Sequence, residues 1–223
     1  MSTFQTRGAF AAVSGATYSG LRITNPNGPC VTVSGVSNVT IVDSELGPCG
    51  GEAAIVVDGT TASILLDHLS IHDSPRGVLV SGANGVTTSN SRFADINGLI
   101  PRGTAVEYDY VTSSGMISGN EVRGSYNSDA ISGFQSSGLQ IIGNDVRVTM
   151  THIHAAPFTI GDSVNGTPGH DNYVANNKVT QNGGVPPGVF GSTTTASVDA
   201  IYRSTVGTGS CGSCHIGEAA GKA

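Results

Sequence analysis

The chain has 223 residues with Gly at 32 positions, no Trp and only 12% charged residues, a composition that excludes a helical bundle with Lys/Glu-rich faces. No apolar run approaches the roughly 20 residues that span a bilayer. A net charge of −6 with only two lysines, Lys178 and Lys222, excludes nucleic acid as a partner, because phosphate binding needs a basic stripe.

The first residues, from Met1 to Arg7, carry no charged-then-apolar leader. For a composition of this surface type we expect an extracellular or periplasmic protein whose leader has been removed. Residues 1–20 hold Gly8, Gly15 and Gly20 without a clear repeat, and are expected to cap one open end or to be partly disordered.

Residues 21–182 are written in a repeat. Six segments follow the pattern apolar-x-x-polar-x-apolar: 41–46 with Ser44, 64–69 with Asp67, 88–93 with Ser91, 117–122 with Asn120, 141–146 with Asn144 and 174–179 with Asn177. Intervals of 23 to 33 residues between the polar positions are near one coil length, with loop insertions in the longer ones. A short apolar strand cannot bury its inward face alone, but identical strands stacked about 4.8 Å apart close a continuous core. The polar residue then falls at a bend, where stacked Asn or Ser side chains stabilise turns by bonding to each other and to backbone. A second strand is expected ahead of each repeat, at 30–33, 54–57, 77–80, 104–108, 130–132 and 158–160. The expected fold is all-β, a single-stranded parallel β-helix of about eight or nine coils if the whole chain is wound at this period.

Cys30 and Cys49 each end a Gly-Pro-Cys tripeptide and fall on adjacent coils. Two readings stay open: a disulfide, if the Cα atoms come within about 7 Å, or two stacked small hydrophobes.

A column of charge stands just before successive strands: Glu52, Arg76, Arg102, Asp129 and His154, with Pro-Arg-Gly repeated at Pro75-Arg76-Gly77 and Pro101-Arg102-Gly103. Stacked in line, the guanidinium groups match the carboxylates of an extended anionic sugar chain in two-pronged geometry. Asp73, Glu107 and Asp109 are nearby candidates for a calcium site or for acid/base work. The alternative is a self-neutralising ion-pair ladder that binds nothing.

Residues 183–223 lose the repeat and end in Cys211-Gly-Ser-Cys214-His215. This spacing matches covalent c-type haem attachment through Cys211 and Cys214, with His215 as an axial iron ligand. It also fits a tail disulfide or half of a zinc site.

The segments Asn27-Gly-Pro-Cys30, Leu46-Gly-Pro-Cys-Gly-Gly51, Pro101-Arg-Gly-Thr-Ala-Val-Glu-Tyr-Asp109 and Ser128-Asp-Ala-Ile-Ser132 resemble right-handed parallel β-helix proteins of the pectin lyase-like superfamily, over roughly residues 20–182. The resemblance implies right-handed winding, which parallel crossovers also favour. It implies a secreted or cell-surface protein that binds or processes an acidic polysaccharide in a lyase-like way. There Arg102 or Arg76 would act as base beside Asp109, calcium would acidify the uronate C5 proton, and Glu52, Glu107, Asp129 and His154 would line the sugar. The chain has no Asp-Asp pair for a polygalacturonase-like site. Two other readings stand beside this one: a haem-bearing electron-transfer protein on a β-helix scaffold, and a structural module that associates end to end.

Overall fold

Three short strands make each coil of this protein. A computed structural model describes residues 4–60, 62–96, 98, 103–151, 157–160, 171–182 and 194–198. Sheet A has nine strands, beginning with Gln5–Gly8 and Leu21–Asn25 and ending with Asn177–Asn182 and Thr194–Val198. Sheet B has seven, from Phe10–Ala11 to Phe158–Ile160, and sheet C has seven, from Thr17–Ser19 to Tyr173–Ala175. The chain passes A, B, C and back to A, and neighbours within each sheet pair in parallel. One pair differs: Thr194–Val198 runs antiparallel to Asn177–Asn182. Among the described residues the strands make seven three-stranded coils and the first strand of an eighth, close to the number expected from length. Residues 5–19, expected as a cap, supply the first coil.

The core is built from columns of like side chains. Val31, Ile55, Val78, Val106 and Ile131 stack on sheet B, Ile41, Leu66, Ile117 and Ile141 on sheet C, and Ile23, Leu46, Ile71, Phe93, Val122 and Val146 on sheet A, all essentially inaccessible to water. Each such side chain contributes roughly 1.5–3 kcal/mol when fully buried, so the repeat stabilises itself coil by coil. Tyr108 is the large exception. Its ring lies inside, its hydroxyl is 3.0 Å from Thr88 Oγ1, and burial pushes its phenol pKa far up. Gly115 faces the ring across the core, where a Cβ would run into both Leu139 and Tyr108.

The six repeats of the sequence each span a bend. Their first half is the end of a sheet C strand and their second half is the start of a sheet A strand, which is why the coil has three strands where the sequence suggested two. At this bend Asp43, His68, Asn90, Gly119, Gly143 and Asn176 all take the left-handed conformation, with φ between 47° and 68°, a region that Gly, Asn and Asp tolerate best. The next residue forms the ladder: the Asn120 N–H donates to Asn144 Oδ1 at 3.0 Å, and the Asn144 N–H to Asn177 Oδ1 at 2.8 Å. Ser91 receives the Leu69 N–H on Oγ, and Ser44 receives that of Leu21.

Asp67 is not in this ladder. Ile41 pairs with Leu66 and Val42 with Asp67, so the ladder place in that coil belongs to Leu69, two residues further on. The 64–69 repeat is therefore out of register, because Leu66, Leu69 and Ile71 mimic the apolar frame. Asp67 instead accepts bonds from Ser89 Oγ at 2.6 Å and Asn90 Nδ2 at 2.9 Å, and pairs with His68 Nδ1 at 2.5 Å.

Candidate functional site

The corner between sheets A and B carries the chemistry. Counting back from the pairs Ile55 with Val78, Val78 with Val106 and Val106 with Ile131, the residues that stack here are Ala53, Arg76, Thr104 and Asp129. The column expected from sequence is corrected accordingly. Glu52 stands one place out of line and is exposed, and Thr104 holds the place assigned to Arg102. Arg102 and His154 lie outside the described residues, as do Cys211, Cys214 and His215.

Glycines set this corner. A Cβ on Gly77 would strike the Ala105 carbonyl and the Phe93 ring, and one on Gly103 would strike the Gly98 carbonyl and Asn127 Oδ1. The Gly of each Pro-Arg-Gly is thus required by close backbone approach. Arg76 between them is fixed by its own backbone, its carbonyl accepting from the Ala54 N–H at 2.9 Å and from Ser74 Oγ.

Strand alternation points Glu107 outward from sheet B, in register with Leu79 and Ser132. An outward side chain of a solenoid ordinarily meets water, yet Glu107 and Ser132 are each 1% exposed. Arg76 reaches across from the neighbouring coil and sets Nε 2.9 Å from Glu107 Oε2, in an ion pair without aligned hydrogen-bond geometry. Beside the pair, the hydroxyls of Thr104 and Ser132 are buried with no hydrogen-bond partner, an arrangement that costs about 1–3 kcal/mol per group. Sequence reasoning brought out Arg76, Glu107 and Asp129, and the structure draws them to this corner. It missed Thr104 and Ser132, which no pattern marks.

The next outward column of sheet B is exposed at Ser34 and half-buried at Asp58, Ser81 and Asp109. Ser34, Asp58, Ser81 and Asp109 pair in register over four coils, giving one hydroxyl or carboxylate about every 4.8 Å. The following residue is the left-handed bend, and there the column reads Gly35, Gly59, Gly82, Tyr110 and Gln135. Tyr110 holds φ at 57°, a conformation that costs a side-chain-bearing residue roughly 1–2 kcal/mol. Its sequence signal was legible as Val-Ser-Gly, Val-Asp-Gly and Val-Ser-Gly giving way to Tyr-Asp-Tyr.

Residues 8–200 match the family described as a right handed beta helix region. This chain belongs to that family. No curated protein and no solved structure matches it. The match makes the β-helix right-handed, as the sequence resemblance implied.

Elsewhere on the β-helix the charges neutralise one another. A ladder of ion pairs lies on the outer face of sheet A. There Arg22 pairs with Glu45 at 3.0 Å, Arg123 with Glu121 at 3.0 Å and with Asp145 at 3.1 Å, and Arg147 with Asp145 at 2.7 Å. Asp73 also belongs to sheet A, bonded to His72 Nδ1 at 2.7 Å, and so stands apart from Glu107 and Asp109. Among the described residues no three His, Cys, Asp or Glu side chains group closely enough to hold a metal ion by themselves. An open depression of about 480 Å³ at the C–A bends has Ser44, Leu69 and Ser91 of the ladder in its lining.

Cys30 and Cys49 form a disulfide, with Cα atoms 5.6 Å apart on adjacent coils. Of the two readings left open by sequence, the bond is the one found. No free cysteine occurs among the described residues, and no helix there is long and apolar enough to cross a membrane.

Proposed function

We propose that this β-helix is an extracellular or periplasmic protein that binds an extended polysaccharide along the outer face of sheet B. The observation that carries this reading lies beside the buried Arg76–Glu107 pair and the buried hydroxyls of Thr104 and Ser132. Next to them runs the register-matched polar column of Ser34, Asp58, Ser81 and Asp109. A sugar chain supplies hydroxyl donors and acceptors at a spacing close to that of the coils. The likeness to pectin lyase-like proteins and the disulfide, which persists in oxidising compartments, support the same reading.

An acidic polysaccharide is the substrate class the resemblance favours, and the charges on this face set a condition on it. Asp58, Glu107, Asp109 and Asp129 outnumber Arg76, whose guanidinium is engaged by Glu107. Uronate binding here calls for a divalent cation such as calcium, shared between the sugar carboxylates and Asp58 or Asp109. A lyase-like step would fall to Arg102 as base, with Arg76 positioning Glu107. The test is retention of the protein in gels cast with uronic-acid and neutral polysaccharides, with and without calcium. Calcium-dependent retardation by a uronan supports the acidic reading, calcium-independent retardation by a neutral glycan replaces it, and migration unaffected by any polymer removes the polysaccharide reading.

The Cys211-Gly-Ser-Cys214-His215 motif favours a second reading, in which the tail carries a covalent haem. Protein exported where cytochrome c maturation operates would then gain the mass of one haem and a sharp visible band on reduction. An unmodified mass removes this reading.

A further inference from the structure

We propose that Tyr110 is the platform on which one pyranose ring of the bound polysaccharide stacks, closing one edge of the sheet B face. The inference rests on the polysaccharide reading above and adds to it the residue that selects a sugar ring by its apolar face.

Tyr110 is 51% exposed, the most exposed aromatic side chain among the described residues. It occupies the bend position that three preceding coils give to Gly35, Gly59 and Gly82, all in the same left-handed conformation. Three coils serve this bend with glycine and the following coil with Gln135, so the bend itself calls for no ring, and Tyr110 brings one to this edge. The ring is held for presentation. Its backbone N–H donates to the Phe134 carbonyl at 3.0 Å, and its ring stands edge to face with Phe134, centroids 6.0 Å apart at 88°. Phe134 is itself 5% exposed and lies in an outward column of sheet B, so Tyr110 leans on a buried ring.

The surroundings match a sugar. Asp109 immediately precedes Tyr110 and lies in register with Ser81 and Phe134, so the polar column of sheet B runs directly into the aromatic pair. A pyranose ring presents axial C–H groups on one face and equatorial hydroxyls at its rim. The negative face of an aromatic ring attracts the C–H groups, and Asp109 and Ser81 stand where rim hydroxyls need partners. An apolar peptide would gain nothing from that acidic rim, and a nucleic acid would be repelled by it.

The test compares wild type, Tyr110→Gly and Tyr110→Phe by affinity electrophoresis in the polysaccharide panel described above, with thermal melting alongside. Glycine is the residue the three preceding coils use at this bend, so Tyr110→Gly should melt with the wild type while its affinity for the retained polymer falls about tenfold. Tyr110→Phe keeps the ring and should bind within about twofold of wild type. If wild type is retarded and Tyr110→Gly is retarded equally, the stacking role is overturned and the polysaccharide reading stands. If wild type is retarded by no polymer, both fall together.

Discussion

Arg76 of one coil and Glu107 of the next meet at 2.9 Å with both side chains almost wholly out of water, on a face of the solenoid that alternation points toward solvent. Such a pair is costly to assemble and more costly to break. Removing one member disrupts a buried pair, a loss of roughly 3–5 kcal/mol. Arg76→Ala and Glu107→Ala should therefore each lower the denaturation midpoint strongly. The double variant Arg76→Met with Glu107→Leu should recover most of the loss, since apolar residues of similar volume often replace a buried pair without penalty. Urea titrations of all three give the answer, and a double variant as weak as the singles would show that the pair holds more than itself.

The ladder makes a different kind of prediction, because its bonds are shared between coils. Asn144 accepts from the Asn120 backbone and side chain and donates to Asn177 Oδ1 and the Ile117 carbonyl, all between 2.8 and 3.0 Å and all buried. Asn144→Ala leaves the Asn120 N–H and the Ile117 carbonyl without their partners, while Asn177 Oδ1 keeps the backbone N–H of residue 144, and should cost on the order of 3 kcal/mol. Hydrogen exchange should localise the damage, with the Asn120 amide losing its protection first.

These bends also show where the sequence was legible. The sheet B strands were found as short apolar runs ahead of each repeat, with Val or Ile at 31 and 33, 55 and 57, and 78 and 80. The bend repeat was found too, yet Leu66 and Leu69 satisfy the apolar frame in two registers, and only the pairing of Ile41 with Leu66 decides between them. Arg102 was placed in line with Arg76 by a shared tripeptide, whereas the strand register puts Thr104 there. Buried hydroxyls such as Ser132 leave no mark in a sequence, since Ser is equally common on open surface.

Acid should loosen the outer face of sheet A. Partial burial tends to raise the pKa of Asp145, but its bonds and charge contacts with Arg147 and Arg123 outweigh this and hold it below the usual 3.8. Asp67 is lowered likewise, burial being outweighed by the bonds from Ser89, His68 and Asn90. A carboxyl with a depressed folded pKa adds stability that is complete above its unfolded value and disappears as pH falls through the folded one. Stability should thus decline below about pH 4, and Asp145→Asn should flatten that decline while leaving the protein above it weaker. Denaturation midpoints measured across this range check the sign, and an unchanged acid slope in the variant would assign it to other carboxyls.

The disulfide between Cys30 and Cys49 ties adjacent coils across a separation of 19 residues. Closing a loop of this size removes disorder from the unfolded chain worth about 3 kcal/mol. Replacing both cysteines with Ala should lower stability by that order, and the same loss should appear in wild type on adding reductant but not in the variant.

Arg7 places a charge beside the aromatic residues of the first described coil. Its three strands, Gln5–Gly8, Phe10–Ala11 and Thr17–Ser19, lie at the edges of their sheets, and open edges are templates for pairing with a second copy. Arg7 is in register with Ile23, Phe10 with Val31 and Tyr18 with Ile41, so all three occupy inward columns that later coils fill with aliphatic residues. The Arg7 guanidinium sits 4.0 Å from the Phe10 ring centroid and 5.4 Å from that of Tyr18, a cation over an aromatic pair at the mouth of the core. Stacking another coil on this end would take that charge out of water with no carboxylate to meet it, a cost of several kcal/mol. Arg7→Ile removes the cost and leaves an apolar, strand-edged end. Light scattering on a dilution series should find wild type free of association through this end and Arg7→Ile assembling as concentration rises. Assembly of wild type that Arg7→Ile leaves unchanged would show that the charge does not guard this edge.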